Sequence, residues 1–269
     1  MTIRSAPFDE KLRHASAAGF AGVELWAEDL DGAAVDPGRV CATAAAAGLE
    51  ILGVCPQPDL YRWHHAWDVD LERMFRRRLA RYRAIGARYV VLPVMDEAGN
   101  LEQTAANLRR AAVVAAETGI AVGLEPIGHI RKLASVRLAN ELVDEAARDG
   151  PVGLVLDSFH FFRGGNAFAD LAAVPAERIL AVQLADAMPL PLAELRGARH
   201  RLYPGEGIFD VVGLCRRLDE SGYAGPFVVE LLNEAYWAAD PATVAGRARA
   251  SAMDVLARAG LAMAREAST

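Results

Sequence analysis

The stretch Val152-Gly153-Leu154-Val155-Leu156-Asp157-Ser158-Phe159-His160 sets how the rest of the chain is read. Five apolar or small residues run without a polar interruption and stop at a carboxylate. A strand covered on both faces needs apolar side chains at every position, whereas a half-solvated strand alternates. Upstream, largely apolar runs recur at Phe20–Leu25, Leu49–Cys55, Ala87–Pro93 and Ile120–Glu125; downstream, they recur at Ile179–Ala185 and Pro226–Leu231. Thr2–Arg4 is expected to add one more short strand. Helical periodicity fills the intervals, at Phe8–Ala18, Pro37–Ala47, Val69–Ile85, Leu101–Thr118, Ser135–Ala147, Asp210–Ser221 and Pro241–Arg265. Gly19, Gly48, Gly86, Gly119 and Gly222 stand where helices should stop before the next strand.

Eight strands in series with helices, and no break in composition, predict one closed (β/α)8 TIM barrel over residues 1–269. The alternative is an open doubly wound sheet, which usually carries a glycine-rich phosphate turn after its first strand. Neither GxGxxG nor a Walker lysine loop occurs. With 269 residues, 53% of them hydrophobic, the chain has material for one large core.

A net charge of −6 and no basic stripe make nucleic acid an unexpected partner. The arginines from Arg73 to Arg83 fall on a helix and read as a solvated face. Cys41, Cys55 and Cys215 are too scattered for a zinc knuckle or a disulfide framework. No signal-peptide pattern and no apolar run of about 18 residues is visible, so a cytoplasmic protein without a membrane span is expected.

Chemistry in such a barrel sits at the C-terminal ends of the strands. Four consecutive runs carry, at or near their C-terminal ends, polar residues that packing does not explain: Glu125, Asp157, Gln183 and Glu230. Any one of them alone would read as a helix cap or an ion-pair partner; Asp186 illustrates that reading. Three carboxylates converging on one opening repel unless a cation lies between them. One divalent metal ion with oxygen ligands answers that, Mg2+ or Mn2+ ahead of Co2+ or Zn2+, with the Gln183 amide oxygen as the neutral ligand.

Leu124-Glu125-Pro126, Leu156-Asp157-Ser158-Phe159-His160, Val182-Gln183-Leu184-Ala185-Asp186, Pro204-Gly205-Glu206-Gly207 and Val229-Glu230-Leu231 together resemble the sugar phosphate isomerase/epimerase superfamily, the xylose isomerase-like TIM barrels. The resemblance runs from Gly19-Phe20-Ala21-Gly22-Val23-Glu24-Leu25-Trp26 to the last helix. It implies that Glu125 and Glu230 are proton carriers as well as ligands, one removing a proton beside a carbonyl and the other returning it. It implies substrate contacts from His160, Arg201 and Trp26. Gln183, where many epimerases have histidine, resembles hydroxypyruvate isomerases and 3-dehydroshikimate dehydratases, and His129 matches a second acid–base group of the dehydratases. Phe161-Phe162-Arg163-Gly164-Gly165 instead resembles generic isomerase-like members. The aromatic stretch Pro58–Trp67 either walls the mouth or packs on the barrel, and His64 is assigned there as a substrate contact.

The expected activity is isomerisation or epimerisation of a small polyhydroxylated carbonyl compound through an enediolate. The alternative is a lyase that dehydrates a cyclic keto-polyol such as 3-dehydroshikimate or an inosose; a barrel that only binds ligand is a third reading. Only Arg163 and Arg201 are placed to meet a phosphate, which favours an unphosphorylated substrate. The long last helix is compatible with a homodimer.

Overall fold

The computed structural model describes residues 2–30, 36–56, 67–95 and 100–261. Seven strands form one sheet: β1 (Gly22–Trp26), β2 (Glu50–Cys55), β3 (Tyr89–Pro93), β4 (Ala121–Glu125), β5 (Val152–Asp157), β6 (Ile179–Leu184) and, after a two-stranded hairpin of β7 (Asp186–Ala187) and β8 (Arg201–Leu202), β9 (Phe227–Val229). The sheet order is β1-β2-β3-β4-β5-β6-β9, and every ladder in it is parallel. The order agrees with the expected TIM barrel, with helices outside and strand ends at one mouth.

Local chemistry sets the helix boundaries. Asp36, Asp68, Asn100, Ser135, Asp210 and Asp240 each precede a helix, and each side chain accepts a backbone N–H of the first turn. Such a cap contributes on the order of 1 kcal/mol. At the other ends, all five expected stop glycines adopt positive φ, which an L side chain would resist. The apolar faces of these helices, such as Phe75, Leu79, Leu108, Val143 and Leu214, close over the outer face of the sheet.

Inside the barrel, Cys55, Tyr89, Val91, Val155 and Ala181 pack together. Gly53 makes room for this layer, since a Cβ there would collide with the Tyr89 ring. Tyr89 thereby lies across the lumen, with its hydroxyl donating to Glu24 on β1 at 2.6 Å.

Thr2–Arg4 departs from expectation: these residues form turns rather than a strand. Thr2 still stitches the adjacent edge, since its hydroxyl donates to the Val229 carbonyl at 2.9 Å and accepts from the Leu231 N–H at 3.1 Å. One side chain thus does locally what a strand backbone would do along its length. The seam between β1 and β9 encloses a cavity of about 130 Å3, bounded by Phe8, Leu12, Phe20, Val23 and Val228. No helix among the described residues is long and apolar enough to cross a membrane.

Candidate active site

The parallel registers put the site together. Pro93 pairs with Glu125, Asp157 with Gln183, and Gln183 with Val228, two residues before Glu230. Residues two apart on a strand point the same way, so all four polar side chains share the lumen face. Glu125, Asp157 and Glu230 each present a carboxylate oxygen within 4.8 Å of the other two. Their exposures are 4%, 2% and 8%, and Gln183 is fully buried, so water screens them little.

Gln183 holds its amide in a definite sense. Nε2 donates to Glu24 Oε2 at 2.8 Å, while Oε1 is buried without a hydrogen-bond partner among the described residues. An unmet amide oxygen beside three carboxylates is the donor set a hard divalent cation takes. The residues therefore fit a metal of that class.

Asp157 has two tasks already. Oδ1 accepts the His160 N–H at 2.8 Å, capping the short helix Ser158–Arg163, and Oδ2 meets Arg201 Nη1 at 2.5 Å. The helix-cap alternative for this residue thus holds alongside its place in the cluster. Asp186 is a loop organiser only: it accepts N–H groups of Ala187, Gly207 and Phe209 at 2.8–2.9 Å. Gly207 permits this, since a Cβ there would collide with the Ala187 carbonyl and the Asp186 carboxylate. Glu206 of the same motif points away and pairs with Arg247 at 2.6 Å.

Arg201 enters the site from β8. Its guanidinium is 1% exposed, lies 3.6 Å from Glu230 Oε2 as well as against Asp157, and rests over the Phe159 ring at 4.8 Å. Asn233 fixes the hairpin by donating to the Arg201 carbonyl at 2.7 Å. Arg201 Nη2 is 3.3 Å from His160 Nε2, which is itself 4.0 Å from Glu125 Oε1. His129, exposed at the rim, has its ring centroid 6.1 Å from that of His160. Trp26 lines the mouth with Glu24, Cys55 and Glu230. His64, with most of the aromatic stretch, lies outside the described residues. Arg163 is directed elsewhere, donating to the Leu195 carbonyl at 3.0 Å.

Two residues that the sequence reading left out belong here. Glu24 sits under Gln183, and the Cys55 thiol lies 3.6 Å from Glu230 Oε1. A charge embedded in the continuous run Gly22–Trp26 was the available signal for Glu24; a lone buried cysteine offered none.

The electrostatics follow from burial. Glu125 is pushed well above the carboxylate range by desolvation, then by Glu230 and Asp157. Desolvation also raises Glu230, opposed by Arg201, and lifts Glu24 to about 7 against the hydrogen bonds from Tyr89 and Gln183. Desolvation lowers His160 to about 3, so its imidazole is neutral. Burial would lower the Arg201 value, but Asp157 and Glu230 more than offset it and hold the guanidinium charged.

These shifts have a sign. Carboxyls whose folded values lie above the ordinary 4.5 keep protons that the unfolded chain has released. Stability therefore falls as pH rises from that value through the folded ones, near 7 for Glu24, with Glu125 shifted in the same direction. The depressed His160 acts oppositely, but mostly below its ordinary 6.5. Chelator-treated protein is expected to lose melting temperature between pH 6.5 and 8.5, by about 2 °C from Glu24 alone, and saturating Mn2+ to reduce that slope. Thermal circular dichroism at the two pH values checks it; a flat profile in chelator would contradict it.

Comparison with known proteins agrees with the geometry. Residues 12–255 match the family model for xylose isomerase-like TIM barrels. The 3-dehydroshikimate dehydratase of Pseudomonas aeruginosa is 35% identical over 243 residues, covering 87% of this chain and 38% of that enzyme. The chain thus spans about two fifths of that relative's length. The inosose isomerase of Halalkalibacterium halodurans is 29% identical over 170 residues, covering 61% of this chain and 60% of that enzyme. Among solved structures, the IolI protein with a bound zinc atom superposes with a TM-score of 0.83 at 20% identity, covering 96% of each chain, which speaks to the fold. The chain belongs to the xylose isomerase-like TIM barrel family.

Proposed function

We propose that this chain is a divalent-metal-dependent enzyme that removes the proton beside the carbonyl of a small polyhydroxylated ketone. The observation that carries this reading is the buried triad Glu125, Asp157 and Glu230, with the unpartnered Gln183 Oε1 beside it. These four residues would hold the ion, Mg2+ or Mn2+ in preference because every donor is oxygen. When bound, the metal supplies Lewis-acid polarisation of a carbonyl oxygen.

The chain's own residues supply the rest. Glu230 and Glu125 are carboxylates with raised proton affinity, suited to taking a proton from carbon and giving one back. Arg201 and the neutral His160, in contact at 3.3 Å, offer donors to substrate oxygens. Trp26 walls the mouth and limits water.

Two fates follow from one deprotonation. Loss of a β-hydroxyl gives a dehydratase, which the 35% identity to 3-dehydroshikimate dehydratase and the placement of His129 beside His160 support. Return of the proton at the same or the neighbouring carbon gives an isomerase or epimerase, which the inosose isomerases support, since this chain covers more of their length. The first is the favoured reading.

Metal-loaded protein incubated with 3-dehydroshikimate should yield a conjugated product absorbing in the near ultraviolet. The same protein with keto-inositols and ketoses in D2O would, on the second reading, take up deuterium at the carbon beside the carbonyl. Neither signal from chelator-treated, reloaded protein across these compounds would refute the shared step.

A further inference from the structure

Gln183 is the one amide among the four residues that would hold the ion, and an amide, unlike a carboxylate, has a right and a wrong way round. Reversed, it would put two N–H donors where a buried oxygen now has no partner among the described residues. The feature that decides its sense is Glu24. Ionised, Glu24 only accepts hydrogen bonds, so its Oε2, at 2.8 Å, takes Nε2 of Gln183; a reversed amide would set oxygen against that oxygen. Glu24 is itself fixed from the opposite side, where Tyr89, lying across Gly53 in the lumen, donates to Oε1 at 2.6 Å. The Cys55 Sγ at 3.8 Å gives Nε2 a second acceptor of the same sense. The result is visible at the other end of the amide, where Oε1 is buried and left for a ligand.

We propose that Glu24, anchored by Tyr89, is a positioning residue that holds the Gln183 amide with its oxygen toward Glu125, Asp157 and Glu230, and so sets the affinity of the site for a divalent cation. This rests on the metal-dependent reading above. Groups behind a metal ligand commonly change affinity by about 10–100-fold when removed.

The test separates reach from charge. Glu24→Asp keeps the carboxylate but withdraws it by one methylene; Glu24→Gln removes the carboxylate but keeps an acceptor oxygen at the same reach. Mn2+ titrated calorimetrically into chelator-treated protein should bind about tenfold more weakly to Glu24→Asp and within about threefold of the parent to Glu24→Gln. A residue acting only through its charge would give the opposite order. In a Gln183→Ala background, where no amide remains to orient, Glu24→Asp should change Mn2+ affinity less than twofold. Circular dichroism melts accompany each variant; should Glu24→Asp fail to fold, Tyr89→Phe, which releases Glu24 from behind, should weaken Mn2+ about threefold and again not in the Gln183→Ala background. Equal affinity of parent and Glu24→Asp, or an undiminished loss in the Gln183→Ala background, overturns the positioning role and leaves the metal reading standing. Absence of stoichiometric Mn2+ binding by the parent overturns both.

Discussion

Arg201→Met is expected to lower the melting temperature of chelator-treated protein by on the order of 10 °C at pH 8, from a loss of about 3–5 kcal/mol. The guanidinium is 1% exposed and lies between Asp157 at 2.5 Å and Glu230 at 3.6 Å. Methionine keeps an apolar stem against Phe159, so the loss reports charge more than volume. What remains is a set of buried carboxylates without a counter-charge, and breaking a buried pair from one side costs more than the pair itself contributes. The deficit should shrink at pH 6, because Glu125 and Glu230 have folded values above the ordinary range and gain protons as pH falls through them. It should also shrink with saturating Mn2+, which supplies positive charge to the same cluster. Thermal melts of both proteins under the three conditions decide it. A deficit equal in all three would make Arg201 a packing residue and remove the electrostatic account of the site.

The same physics explains which parts are legible in the amino-acid sequence. Strands covered on both faces are nearly all apolar, so Glu125, Asp157, Gln183 or Glu230, at or near the end of its run, stands out, and strand parity then brings the four together. Helix starts were legible at Asp210 and Ser135 because capping is decided within three residues. What failed to show depends on distant partners. Glu24 looks like one charge in Gly22–Trp26 until Tyr89, 65 positions away, reaches it. The sequence placed Arg201 before the Pro204–Gly207 turn, but its depth comes from the two-residue hairpin strands β7 and β8 and from Asn233. Elements that short carry no periodicity. Thr2–Arg4 misled in the other direction: its composition suits a strand, yet a strand needs a ladder, and what bonds to that edge here is the Thr2 hydroxyl.

Glu230→Gln tests the chemistry most directly. On the proposed reading, Glu230 both helps to hold the ion and exchanges a proton with carbon. Glutamine is nearly isosteric and retains an oxygen that can still meet a cation and the Arg201 guanidinium. It cannot take a proton at neutral pH. Turnover should fall by about 10^3-fold, within the range for removing a positioned acid–base group, while the metal content of the purified protein falls much less. KM should change little, because substrate contacts from Arg201, His160 and Trp26 remain. Glu125→Gln, at the other face of the cluster, then separates the two carboxylates. If Glu230 removes the proton, Glu125→Gln should still exchange substrate hydrogen with D2O while failing to form product, and Glu230→Gln should do neither. Exchange that persists in Glu230→Gln and vanishes in Glu125→Gln would interchange the two roles. Exchange that persists in both would place the base elsewhere, with His129, at the rim beside His160, the next group to replace.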